Sequence, residues 1–244
     1  MRVALISDIH ANLPALEAVV RDIHDKDVQQ IVCLGDTATV GNQPREVLDL
    51  LQDLNCILVM GNHDTAILEP QRATEMHIPV EMLDSLQWSA SQLTAGHRDF
   101  IASFSKTVLL TLDEDVEVLC FHGSPRRSYA LVLPTMEDAE LTALFGDTPA
   151  GWLAGGHIHQ QVYRRVGSKT LVNPGSVGTA WVWNGGPPGP TLMPWAEYAV
   201  IEVGTGKAEA QLTRVPYDID KAERLLGETD NPAKQRWRTQ YKSI

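Results

Sequence analysis

Over the first two-thirds of the chain, short apolar runs alternate with segments of helical period. Val3–Ser7 reads as a strand, and Asn12 stands where it can cap a helix carrying Pro14 in its first turn. Leu16, Val19, Val20 and Ile23 then fall on one apolar stripe at 3.6-residue spacing. Ile31–Leu34 predicts a second strand. Pro44 opens a second helix whose Val47, Leu48, Leu51 and Leu54 face a core, and Cys56–Met60 predicts a third strand. A β-α-β-α-β order of this kind demands parallel pairing and right-handed crossovers. Residues 65–106 carry helical patterns around Val80–Leu93 and Ala95–Phe104, and are expected to cap one end of the sheet. Val116–Phe121 and Gly151–Ala154 are further strands. The later chain reads as two hairpins, Val162–Val166 with Lys169–Val172 and Tyr198–Val203 with Ala208–Val215. Between them, residues 183–195 hold too much Pro and Gly for a regular element. With no repeat or low-complexity linker, a single domain is expected over 1–244. Its core would be 1–215, with a cap-like segment at 65–106 and a peripheral, partly helical tail at 216–244.

Composition narrows the class. The 244 residues are 43% apolar, enough for a substantial core, and no apolar run approaches the roughly 20 residues of a membrane span. Met1–Asp8 meets a carboxylate too early for a secretory signal, and three cysteines in apolar runs suit a reducing compartment. A cytoplasmic protein is expected. The balance of 20 Lys+Arg against 31 Asp+Glu, a net charge of −11, disfavours nucleic acid as a partner. A phosphate-bearing ligand stays open if bound cations supply local positive charge.

Five polar clusters share one structural address, just after an apolar run: Asp8-Ile9-His10, Gly35-Asp36, Gly61-Asn62-His63-Asp64, His122-Gly123 and Gly156-His157-Ile158-His159. Ligands of open α/β sheets sit beyond the carboxyl ends of the strands, so all five would converge. Asp, His and Asn supply oxygen and imidazole donors without thiolate, a set suited to Mn²⁺, Fe, Zn²⁺ or Co²⁺. Seven donors exceed one tetrahedral ion and suit two ions sharing a carboxylate. Each cluster alone has a bland reading as a cap or turn; the ordered set does not.

This series resembles the calcineurin-like metallophosphoesterase superfamily, and its local text is similar to a branch of small bacterial and archaeal phosphodiesterases. Ser7-Asp8-Ile9-His10-Ala11-Asn12, the Gly41…Pro44 stretch and Asn173-Pro174-Gly175-Ser176-Val177-Gly178 add to the likeness, which runs from Met1 to about residue 215. The resemblance implies a four-layer α/β/β/α sandwich of two mixed sheets flanked by helices. It implies a first metal on Asp8, His10 and His159, a second on Asn62, His122 and His157, and Asp36 bridging them. The ions would be divalent, Mn²⁺ foremost, with Fe, Zn²⁺, Ni²⁺ or Co²⁺ as alternatives. Hydroxide held between such ions attacks phosphorus in line, while His63, its ring oriented by Asp64, stabilises or protonates the leaving oxygen. Asn12 and the Asn173–Gly178 loop would orient ligands. The expected activity is hydrolysis of a small phosphate ester, phosphodiester or monoester.

The chain departs from common relatives at Thr37-Ala38-Thr39-Val40 and Thr179-Ala180-Trp181, which would line the substrate pocket. Trp181, Trp183 and Trp195 could stack on substrate, or cover apolar surface or a subunit interface in a homo-oligomer. Arg126 and Arg127 read as a phosphate clamp or a solvated turn. His24, His77 and His97 read as surface or packing residues, although a cap would bring His77 and His97 near substrate. Two rivals remain: a cysteine phosphatase on the Cys120-x5-Arg126 spacing, and a scaffold that keeps the fold without catalysis.

Overall fold

The computed structural model describes residues 1–182, 191–204 and 207–241. Its centre is a parallel trio, β1 (Arg2–Ile6), β2 (Gln30–Cys33) and β3 (Ile57–Leu58), joined by helices α1 (Leu13–His24) and α2 (Pro44–Asp53). Asn12 caps α1 through its side-chain oxygen, with Pro14 in the first turn. The strand expected over Cys56–Met60 shortens to two residues, continued by a bridge from Val59 to Ser105. β11 (Trp195–Gly204) adds antiparallel to β1, and β12 (Lys207–Pro216) closes the order β12-β11-β1-β2-β3.

A second five-stranded mixed sheet has the order β4-β5-β6-β8-β7, from β4 (Val108–Asp113), β5 (Val116–Cys120), β6 (Trp152–Ala154), β7 (Gln161–Val166) and β8 (Lys169–Pro174). The sheets pack face to face through Val3, Leu5, Val32 and Leu34 on one side and Val116, Val118, Cys120, Ala154 and Val172 on the other. Ala4, Ile6 and Cys33, on the opposite face of the first sheet, meet Leu16, Val19 and Ile23 of α1. The outer face of the second is covered by Leu141 and Phe145 of α6 (Asp138–Phe145). The layers are therefore α/β/β/α, as expected.

Residues 62–104 form a helical lobe of α3 (Asn62–Leu68), α4 (Leu83–Gln92) and α5 (Ala95–Ala102) around Ile67, Leu86 and Ile101. Two expectations change. Thr191–Leu192 (β10) pairs with Trp181–Val182 (β9), and Trp195 already belongs to β11, so the expected 183–195 loop is shorter; Trp183 lies outside the described residues. The tail is not peripheral. It forms α7 (Ile219–Glu228) and α8 (Lys234–Tyr241), and Trp237 is only 3% exposed against Leu192 and Leu226. Among the described residues no helix is long and apolar enough to cross a membrane.

Candidate metal centre

Five loops leave the carboxyl ends of β1, β2, β3, β5 and β6 and meet at one place. They turn so sharply that Asp8, His10, Asp36, His157 and His159 all adopt positive φ, between 47° and 71°. Such backbone costs on the order of 1 kcal/mol or more per residue and persists only where its surroundings hold it. Gly35 at φ 105° shows how close the loops pass: a Cβ there would fall 2.6 Å from the Gly61 nitrogen.

The donors form two groups, Asp8 with His10 and His159, and Asp36 with His122 and His157. His159 Nε2 lies 3.2 Å from both Asp8 Oδ1 and His10 Nε2. His122 Nε2 lies 3.2 Å from Asp36 Oδ2 and 3.1 Å from Asn62 Oδ1. Asp36 Oδ2 also faces His10 Nε2 at 3.9 Å, so this carboxylate stands between the groups. The Asn62 amide nitrogen donates to the Met76 carbonyl, which leaves its oxygen aimed inward.

Tautomers follow from the partners. His122 Nδ1 is 2.7 Å from the Leu34 carbonyl and His159 Nδ1 is 3.1 Å from the Thr179 carbonyl. A carbonyl only accepts, so each Nδ1 donates, and each ring when neutral turns a lone pair inward at Nε2. Acceptors then face acceptors unless a proton or a cation stands between them. Asp8 Oδ1 is completely buried with no hydrogen-bond donor aligned to it, while Oδ2 accepts from Ser7 Oγ at 2.6 Å and the His157 N–H at 2.9 Å. A buried anionic oxygen without a donor calls for a cation. Two ligands each about 2.1 Å from one ion stand about 3.0–3.4 Å apart, the spacing seen here. The residues fit divalent metal.

The electrostatics agree. Burial pushes the Asp8 carboxyl up, but His159 and His122 outweigh it and hold it below the usual range. Asp36 is likewise held well below by His122 and His63 against burial. Burial lowers His122, yet Asp36 and Asp8 raise it to about 10, the signature of a pocket that draws positive charge. Burial, with His159 and His63, takes His10 down to about 3; burial and His122 take His157 down to about 4.

His63 lies beside the donors, its ring edge-on to His10 with centroids 5.1 Å apart. Its expected pairing with Asp64 does not occur. The Asp64 carboxylate accepts from the backbone N–H of Asp36, Thr37 and Gly61 at 2.8–2.9 Å and from Thr37 Oγ1 at 2.8 Å. The two are consecutive in the first turn of α3, where neighbouring side chains diverge by about 100°. The His63 ring partner is Thr39, whose Oγ1 is 3.0 Å from Nδ1. Thr39 and Thr179, the latter 2.8 Å from His159 Nδ1, were visible in sequence only as departures from the common text. The Asn173–Gly178 loop braces the centre: Asn173 Nδ2 donates to the Gly156 carbonyl, and Ser176 Oγ and the Gly178 N–H donate to that of Asp8.

Above the donors opens a cavity of about 590 Å³ reached by His10, Asn62, His63, His157 and His159. Trp181 lines it, together with His77, which stacks on Tyr129 at 4.4 Å. Arg126 and Arg127 do not reach it. They line a different cavity with Lys106, and Arg126 packs on Gly146, so the clamp expected of them is absent. Trp195 also lies elsewhere, donating to Glu197 under the Arg214 guanidinium. His97 serves as part of an α5 capping box. Cys120 is fully buried between the sheets, and burial pushes its thiol up to about 12, which removes the thiolate that a cysteine phosphatase needs.

Residues 1–194 match the family model of the calcineurin-like phosphoesterase superfamily domain. The chain belongs to that superfamily. Membership makes it a phosphoric ester hydrolase by family, one that uses divalent metals, and the two His/Asp groups are its candidate sites. The chain is 29% identical over 240 residues to an uncharacterized protein of Methanocaldococcus jannaschii, covering 90% of this chain and 89% of that one. A metallophosphoesterase structure from Sphaerobacter thermophilus has 28% identity and a TM-score of 0.71, with 95% of each chain covered. A hypothetical protein from Pyrococcus horikoshii shares the fold at TM-score 0.79 with 19% identity, over 95% of this chain and 94% of that one.

Proposed function

We propose that the protein is a two-metal phosphoesterase that cleaves small phosphodiesters, with Mn²⁺ as its working ion, in the cytoplasm. The observation that carries this reading is the inward-facing set of acceptors around the donorless Asp8 Oδ1, floored by Asp36 between two donor groups. Asp8, His10 and His159 would hold one ion, Asn62, His122 and His157 the other, and Asp36 both. Bound there, the ions supply an acidified water and neutralise charge on the phosphoryl oxygens. The chain's own contribution is to hold and orient. Leu34 and Thr179 fix the ring tautomers of His122 and His159. Burial pulls the pKa of His63 down, so its ring is neutral at working pH. Thr39 Oγ1 lies 3.0 Å from His63 Nδ1; in the tautomer in which the hydroxyl donates there, the His63 proton sits on Nε2, from which it would pass to the leaving oxygen. Arg236 is the single Lys or Arg among the described residues lining the cavity, so phosphate charge would be met chiefly by metal. Three free cysteines support a reducing compartment.

The test is hydrolysis of bis-p-nitrophenyl phosphate beside p-nitrophenyl phosphate by chelator-stripped protein resupplied with Mn²⁺. Mn²⁺-restored diester cleavage upholds the reading. Metal binding without cleavage of either ester, with any divalent ion, would replace it by a scaffold role.

A further inference from the structure

The cavity over the donors has walls that the phosphoryl chemistry does not use. They come from three separate parts of the chain: Met82 of the helical lobe, Trp181 and Leu192 of the β9–β10 ribbon, and Trp237 of α8, with Leu131 at the rim. Pro232, Ala233 and Trp237 lie beyond residues 1–194, so the part of this wall that the tail supplies is outside the family match. Among the described residues, the Lys, Arg, Asp and Glu side chains on the wall are Glu81, Asp84 and Arg236, two carboxylates against one guanidinium. A second phosphate would meet more repulsion than attraction there.

From this arrangement, and resting on the phosphoesterase reading above, we infer that the substrate carries a single phosphorus and an apolar organic arm, aryl or branched alkyl. The reacting phosphorus must lie at the donor floor with His63, because no other part of the cavity collects donors. Its larger substituent is then forced against Trp181, Leu192 and Met82. A volume of about 590 Å³ admits an arm of drug-like size. The stacked rings of His77 and Tyr129, 16° from parallel, add a flat face suited to a planar group. Polyphosphates and dinucleotides fail on charge.

The experiment compares dimethyl phosphate with methyl phenyl phosphate on the Mn²⁺-loaded protein, each KM read by product NMR or as a competitive Ki against bis-p-nitrophenyl phosphate, with a dinucleoside tetraphosphate as the polyanionic alternative. The phenyl ester should have a KM at least tenfold lower, and the tetraphosphate should be the poorest of the three. Trp181→Ala and the rim variant Leu131→Ala should each cut the phenyl-over-methyl preference severalfold, toward the tenfold that roughly 50–60 Å² of apolar contact is worth. Trp181→Phe should restore most of it. Equal KM values for the two esters, or preference for the tetraphosphate, would overturn the inference. Loss of both activities without change of preference would do so as well. Should no ester be cleaved at all, calorimetric binding of phenylphosphonate and methylphosphonate decides the matter separately: tighter phenyl binding supports the apolar arm even as the phosphoesterase reading falls.

Discussion

Replacing Asp64 should destabilise the protein rather than simply silence it. The side chain is 1% exposed and accepts four hydrogen bonds, three from backbone N–H groups on two different loops. Asp64→Ala leaves the N–H groups of Asp36, Thr37 and Gly61 without an acceptor, at about 1–3 kcal/mol each. Partial relaxation and water entry reduce the simple sum, so about 3–5 kcal/mol is expected from a total of about 5–15. For a chain of this size that corresponds to a fall in Tm of roughly 6–20 °C. Asp64→Asn is the internal control. Its amide oxygen can keep the Asp36 and Gly61 donors and its NH₂ can donate to Thr37 Oγ1, so only the Thr37 N–H is orphaned and about 1–3 kcal/mol is lost. The assay is urea unfolding of chelator-treated protein, which removes metal affinity as a variable. The order wild type, Asn, Ala should hold. An Ala variant within 1 kcal/mol of wild type would refute the reasoning and return Asp64 to the role of a partner for His63.

Asp8→Asn should abolish the stabilisation that saturating Mn²⁺ gives the wild type, about 3 kcal/mol at a hundred times Kd, or a shift of roughly 5–10 °C by calorimetry. Thr39→Val should lower kcat about tenfold with Mn²⁺ affinity unchanged by titration; an unaltered kcat would leave His63 without a positioning partner. Trp237→Phe should retain the buried ring but lose the 3.0 Å bond from Nε1 to the Val40 carbonyl. It should cost about 1 kcal/mol in urea unfolding and lower kcat through Thr39; full retention of both would separate α8 from the site.

What could be read from the sequence follows from where burial writes a pattern. The strands β1, β2 and β5 are covered on both faces, so Val3–Ile6, Ile31–Leu34 and Val116–Cys120 appear as nearly unbroken apolar runs. The donors then sit just past those runs, and five such addresses point to one sheet edge. β4 escaped notice because Val108-Leu109-Leu110-Thr111-Leu112 shows no alternation although Leu109 is 48% exposed. α6 buries only Leu141 and Phe145, too few for a stripe. The tail's contacts fall on scattered residues, Leu226, Asn231 and Trp237, and Trp237 is an isolated anchor in a polar helix that periodicity cannot report. Arg126 and Arg127 were placed near phosphate by adjacency to His122, but the Ser124–Arg127 turn carries both to another cavity.

The strain in the centre explains why the framework around it is so heavily bonded. Val40, β-branched and at φ 73°, is less suited to that conformation than any donor residue. Its carbonyl is held by Trp237 Nε1 at 3.0 Å and Asn231 Nδ2 at 3.2 Å, and Asn231 also reaches the Gly41 carbonyl at 2.8 Å. Val40 follows Thr39, and Thr39 Oγ1 faces His63. The tail therefore fixes one of the two stretches whose text departs from common relatives, and through it the ring beside the candidate metal donors. The same helix supplies Trp237, one part of the apolar wall of the cavity over the donors. A segment outside the family match thus sets both the geometry of the proposed acid and the shape offered to the substrate's arm. Selectivity and proton transfer should accordingly change together when α8 is altered, whereas metal binding, whose candidate donors α8 does not itself supply, should change less.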